Sequence, residues 1–292
     1  MGKRIARVFP RRTSMTPADD DVYIGPPPFG CQPYDDVNIC VTFTWDIPQA
    51  FRLARAWQMY GRVRVGGPAM GTTPGAFVVG RYLRRGVTIT SRGCPFECPW
   101  CLVPSREGTL RELRIQVGNV VQDNNFLACN RQHQEKVFGM LQIQHAIQFK
   151  GGLQASLIND WVIEKLRALK IDEIWTAYDS TDERSNVQRA IEKLRRYFPL
   201  DKVRCYVLIG YHGDTLDAAE GRLRWVRELG ALPFAMRFSQ PTTDKSSRFV
   251  YRSRAWTELT WRWSRAAVMR NMMRPKRQND EQRLLFAGSG KE

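Results

Sequence analysis

Three thiols stand at Cys94, Cys98 and Cys101, spaced C-x-x-x-C-x-x-C inside the run TITSRGCPFECPWCLVPSR from Thr88 to Arg106. Three cysteines within eight residues, carried on one loop, can turn their sulfurs to a common centre. Thiolates hold iron–sulfur clusters, and a cubane normally takes four of them, so a three-thiolate loop leaves one iron open to a small molecule. A structural zinc ion is the other chemistry open to such a loop. It would need a fourth ligand from Cys31, Cys40, Cys129, Cys205 or a distant histidine, because zinc is held by four ligands usually spaced as two pairs. A disulfide framework fits worse: seven cysteines in a long chain without a secretory signal read as a reducing compartment.

The elements that carry this loop are legible from hydrophobic periodicity. From Gly86 the sequence alternates short β-rich runs with helical stretches. The expected strands are VTITS (87 to 91), VGNVVQ (117 to 122), AIQFK (146 to 150), EIWTAY (173 to 178), KVRCYVLIG (202 to 210) and LPFAMRF (232 to 238). Between the later ones lie amphipathic helices such as WVIEKLRALK and NVQRAIEKLRRYF, with apolar residues three and four apart. A repeat of roughly thirty residues is the length of a βα unit. The expected fold is therefore α/β, a partial, open (βα)6 TIM-type barrel over residues 87 to 241. In such folds the site lies at the carboxyl ends of the strands. The residues there are the cysteines after the first strand, Asp123-Asn124-Asn125 after the second and Gly151-Gly152-Leu153-Gln154 after the third. Asp179-Ser180, Tyr211-His212-Gly213-Asp214 and Ser239-Gln240 follow the fourth, fifth and sixth.

Two extensions flank this core. Residues 1 to 36 are rich in Pro, Gly and Asp and read as an extended surface arm. NICVTFTW, PQAFRLARAWQMY and GRVRVGG then form a short βαβ unit, with Phe51, Ala54 and Trp57 on one helical face, so that 1 to 86 make a small α/β cap. Residues 242 to 292 form a basic helical extension, with a helix from about Ser253 to Met273 that packs through Trp256, Leu259, Trp263 and Ala267. A sharper reading of that tail has Arg254, Arg274, Lys276 and Arg277 gripping phosphates. Cys129 and His133 read as a buried cysteine beside a surface histidine, and Cys205 as core.

The cysteine loop SRGCPFECPWCLVPSREG resembles the signature of radical S-adenosylmethionine (radical SAM) enzymes, of the methylthiotransferase and cobalamin-type groups in particular. They share the Arg-Gly before the first cysteine, the Trp100 before the last and the Val-Pro after it. The resemblance covers about 87 to 240. It implies a [4Fe–4S] cluster on Cys94, Cys98 and Cys101, S-adenosyl-L-methionine (SAM) on the open iron, and an electron donor such as flavodoxin or ferredoxin. QDNNF (122 to 126) is similar to the region that holds the SAM methionine amino group, which implies that Asp123, Asn124 and Asn125 lie near it. Gly151 and Gly152 resemble the third-strand end, Asp179 falls where a ribose contact stands, and Gly210 and Gly213 in YVLIGYHGDT resemble the adenine-contacting turn. The cap resembles a shortened cobalamin-binding domain, but the first histidine is His133, which counts against cobalamin. Methylthiotransferases carry three N-terminal cysteines for an auxiliary cluster; only Cys31 and Cys40 are present here, which counts against that route of sulfur insertion.

The net charge is +16, and it is uneven: residues 1 to 86 carry 12 Lys+Arg against 6 Asp+Glu, and residues 242 to 292 carry 12 against 5. Basic ends around a nearly neutral core suit a polyanionic partner, most simply a nucleic acid substrate. With no run of eighteen apolar residues and no apolar stretch after the basic N-terminus, neither a membrane span nor a signal peptide is expected, and the expected compartment is the cytoplasm. The runner-up to a radical enzyme is a zinc-stabilised nucleic-acid-binding module without catalysis.

Overall fold

The computed structural model describes residues 2–71, 77–238 and 253–264. Two parallel sheets carry the chain, and each has its own hydrophobic core.

The smaller sheet holds β1 (Ile5–Phe9), β2 (Val22–Ile24), β3 (Asp36–Cys40) and β4 (Arg62–Gly66), all parallel in the order β2-β1-β3-β4. The helix α1 (Ile47–Ala56) makes the crossover from β3 to β4, the βαβ unit expected from the sequence. Two expectations change. Residues 1 to 36 are not an arm throughout, because Ile5–Phe9 form an inner strand with Ala6 and Val8 fully buried. Five residues of alternation among prolines and aspartates are too short a signal to stand out, and β2 and β3 on either side supply the pairing. The buried stripe of α1 is Ala50, Leu53 and the following Trp57, so Phe51, one residue further round, is 50% exposed. Residues 77 to 86 are tied back to this sheet: Arg7 Nη1 donates to the Arg81 carbonyl (2.9 Å), Asn38 Nδ2 to Tyr82 Oη (2.8 Å) and Arg84 N to the Met15 carbonyl (2.8 Å).

The larger sheet contains the six expected strands in chain order. They are β5 (Val87–Thr88), β8 (Val120–Val121), β9 (Ile147–Leu153), β10 (Ile171–Tyr178), β11 (Val203–Ile209) and β12 (Leu232–Arg237), and every pair is parallel. Among the described residues β5 and β12 remain edges, so the sheet does not close into a barrel. The first two strands are shorter than the sequence suggests, because the chain after β5 leaves the sheet at Thr90 to build the antiparallel ribbon β6 (Ser91–Arg92) and β7 (Arg111–Glu112).

Strands added in one direction by right-handed crossovers place all the helices on one face. That face is covered by α3 (Arg131–Gln142), α4 (Asp160–Arg167), α5 (Arg184–Arg195) and α6 (Leu216–Glu228), whose Phe138, Leu166, Ile191 and Leu223 pack with Phe149, Ile174, Cys205 and Val207 in one core. Cys205 is core, as its place in an apolar strand implies. Asn130, Asn159 and Thr215 accept from backbone N–H groups in the first turns of α3, α4 and α6, which starts each helix where the sequence places a capping residue. α7 (Arg254–Ser264) packs on β12 and α6 through Trp256, Leu259 and Trp263, the stripe expected. Ala267 and the tail cations Arg274, Lys276 and Arg277 lie outside the described residues, as do Ser239 and Gln240.

Alternate residues of the strands project from the opposite face. There Trp175 and Tyr206 stack at 4.2 Å, Phe234 meets both edge-on, and Glu173 accepts from Trp175 Nε1 (2.7 Å), Arg204 (3.1 Å) and Lys150.

Candidate functional site

The three cysteines sit in a lobe whose base is the β6–β7 ribbon. Glu107, at the end of the short helix α2 (Val103–Glu107), accepts from Arg92 (3.3 Å) and Arg111 (3.4 Å), one from each arm of the ribbon. Cys94 N donates to the Gly108 carbonyl (3.3 Å), and Gly93, at φ +80°, passes so close to the Thr109 carbonyl that a side chain there would overlap it. All three thiols are free and half-buried. Two N–H groups are directed at sulfur: Val103 N at Cys101 Sγ (3.4 Å) and Asn125 Nδ2 at Cys94 Sγ (3.5 Å). Cys98, enclosed and beside Cys101 and Glu183, has its thiol pushed up to about 11, and burial raises that of Cys101. Such thiols ionise when a cationic centre compensates them.

The lobe leans over the carboxyl ends of the large sheet. The Trp100 indole lies at Asp179, directly after β10, where as a side-chain donor it opposes the rise of the carboxyl's pKa. The Trp100 ring meets Tyr211, two residues after β11, edge-on at 5.8 Å. At the other side Gly93 N donates to Asn124 Oδ1 (3.0 Å), just beyond β8. The cysteine loop is thus held at three strand ends by Trp100, Gly93 and Cys94. Trp100 in the tether role was not legible in the sequence, where it stood only as a motif letter.

The remaining candidate residues divide by what occupies them. Asp123 is buried and its oxygens are taken by Thr90 N (2.6 Å), Thr90 Oγ1 (2.5 Å) and Ser91 Oγ (2.9 Å), so it anchors the chain leaving β5. Burial raises its pKa, and those same bonds oppose the rise. Asn124 is engaged by Gly93. Among the described residues the buried Asn125 Oδ1 meets no partner, and the Gln122 Oε1 is in the same condition. Gly151 and Gly152 lie inside β9, at an irregularity in its register with β10, not beyond the strand. Gly151 is needed because a Cβ would run into the Asp123 backbone, and Gly152 takes φ +87°. Gly210, at φ +73°, donates its N–H to Asp214 Oδ2 (2.8 Å), and Asp214 is clamped by Arg222 at 2.7 Å and 3.0 Å. Gly213 has φ +77° and open space where a Cβ would stand.

Asp179 has its carboxyl pushed up to about 7, first by burial and then by Glu183. His133 is 7% exposed, buried like Cys129 and not at the surface, with Nδ1 3.8 Å from Glu112 Oε2. The polar ribbon β7 covers it, which helical spacing alone does not reveal. Among the described residues no three His, Cys, Asp or Glu side chains converge as ligands of a single metal ion.

No helix among the described residues is long and apolar enough to cross a membrane. Compared with known proteins, the chain matches no family model and no curated sequence.

Proposed function

We propose that this chain is a radical SAM enzyme in which Cys94, Cys98 and Cys101 hold a [4Fe–4S] cluster and the ends of β8 to β11 hold SAM. The observation that carries the reading is the placement of the cysteine lobe over the strand ends of a six-stranded parallel sheet, tethered by Trp100 to Asp179 and Tyr211. The sheet, with its strands in chain order and its helices on one face, is on this reading the wall of an open (βα)6 barrel.

The residues present fit the groups. Three free thiols on one loop, two of them already receiving N–H donors, match a site with one iron left open. The unpartnered Asn125 Oδ1 is a buried acceptor beside Cys94, and an ammonium donor would satisfy it. When bound, a reduced cluster would supply the one-electron chemistry that cleaves a sulfonium. The chain's part would be to bind and orient: Asn125 would receive the ammonium, Asp179 would stand toward the sugar, and the Gly210–Gly213 turn would let the backbone approach a flat base. An electron donor of the flavodoxin or ferredoxin kind and a nucleic acid substrate complete the proposal.

Anaerobic reconstitution of the full chain, followed by metal analysis and assay of 5′-deoxyadenosine, tests it. Iron with sulfide, and 5′-deoxyadenosine formed by the wild type but not by Cys94→Ala, Cys98→Ala or Cys101→Ala, is the expected result. Retained product in any of the three variants refutes it. Full occupancy by zinc without iron would instead favour a zinc-stabilised nucleic-acid-binding module.

A further inference from the structure

The smaller sheet has a topological switch point of its own. The chain leaves β1 toward β2 on one side and leaves β3 toward β4 on the other, so the loops after β1 and β3 part at adjacent strand ends. In open parallel α/β sheets ligands bind in the crevice at such a point. Arg11 and Arg12 follow β1, while Phe43 and Trp45 follow β3. Asp46 joins the two sides, because its carboxylate takes both the Nε (2.7 Å) and an Nη of Arg11.

The two aromatic rings lie parallel, with centroids 4.6 Å apart and planes 6° from coincidence. Phe43 covers one face of the indole. Trp45 is nonetheless 56% exposed, so the open surface belongs to its outer face and edges. A flat ring can extend the stack from there. Guanidinium groups reach the loop after β1, which Arg11 joins to Asp46, from two segments. Arg84 donates its Nε to the Ser14 carbonyl (2.9 Å), which brings Arg84 and the exposed Arg85 to the turn that follows Arg12. Asp46 neutralises Arg11, whereas among the described residues no carboxylate pairs with Arg12, Arg84 or Arg85, and Arg84 keeps its charge while giving two N–H groups to the Ser14 and Arg85 carbonyls.

We propose that this edge is a binding surface for single-stranded nucleic acid, with a base stacked on Trp45 and phosphates at Arg12, Arg84 and Arg85. A stacking platform set in a line of cations is the arrangement that takes a single strand, because every base offers a flat face and every linkage an anion. A duplex hides its base faces and would meet only the arginines. The surface stands on the small sheet alone and does not require the cluster.

Fluorescence anisotropy of a labelled twelve-nucleotide RNA, its DNA counterpart and the corresponding duplex, on the full chain at 50 and 200 mM salt, tests it. Trp45→Ala is expected to weaken single-strand binding by roughly tenfold or more, the share of one stacked base, while Trp45→Phe restores most of it. Arg12→Gln should reduce the salt slope by about one. Trp45 is largely exposed, and an unchanged unfolding midpoint in Trp45→Ala shows that the effect is local. Single strands that fail to bind, duplex bound as tightly as single strands, or equal affinity in Trp45→Ala would each overturn the assignment. The readout is binding and not SAM cleavage, so its failure and the failure of the radical reading are separate results.

Discussion

Replacing Asp179 with asparagine is expected to stabilise the cluster-free protein, and more so as the pH rises. Its carboxyl is half-buried where the lobe meets the end of β10, close to Glu183, and burial pushes its pKa up to about 7 from an ordinary 3.8. Between those two values the folded chain holds a proton that the unfolded chain has released. Stability therefore falls as pH rises through that window, and above pH 7 the full cost of a buried carboxylate is present. At about 1.4 kcal/mol per pKa unit the cost approaches about 4 kcal/mol at pH 8 and is less than half that at pH 5. Partial exposure of the residue trims these figures to about 2–3 and about 1 kcal/mol. Asparagine keeps the volume and an oxygen for Trp100 while carrying no charge. Urea unfolding of wild type and Asp179→Asn at pH 5 and pH 8, under reducing conditions and without metal, reads the difference directly. A variant less stable than wild type at pH 8, or a difference that does not grow between the two pH values, would refute the reasoning. On the proposed radical SAM reading, the same substitution should weaken SAM binding by the reconstituted protein, since perturbed carboxylates collect at ligand sites.

Three further perturbations follow from packing, helix propensity and charge. Gly151→Ala drives a methyl into the Asp123 backbone, which has no freedom to move between two strands, so a loss of several kcal/mol, about 2–4, is expected in urea unfolding. Gly139→Ala, in the exposed middle of α3 with no atom within 4 Å of the new methyl, should instead raise stability by about 0.5–1 kcal/mol. A neutral Gly151→Ala would show that β8 and β9 are not held as tightly as described. Glu173→Gln leaves Lys150 and Arg204 facing each other without their shared carboxylate, and a cost of about 3 kcal/mol is expected from a broken, largely buried ion cluster. An unfolding midpoint unchanged by Glu173→Gln would mean that water already screens those cations.

Much of the large sheet could be read from residue order because its longer strands put apolar residues at alternate positions under the helices, and each helix declares its buried face by spacing. Val203 to Ile209 and the α7 stripe of Trp256, Leu259 and Trp263 are of that kind. The cysteine loop could be placed at a strand end for the same reason, since it directly follows the first run. Patterns fail where burial is decided by a distant partner. Ile5–Phe9 looks like part of a loop until β2 and β3 flank it.

The order of the six strands, the thiol spacing and the helix faces were therefore settled by the amino-acid sequence, through local periodicity. What each polar group at the strand ends does was decided only by folding. Asp123 serves Thr90 and Ser91 from 33 and 32 positions away, Asn125 reaches Cys94 across 31, and Trp100 finds Asp179 on a strand that forms 70 residues later. Periodicity records which face of an element is apolar, but a hydrogen bond depends on where two elements come to rest, and that is a property of the packed chain.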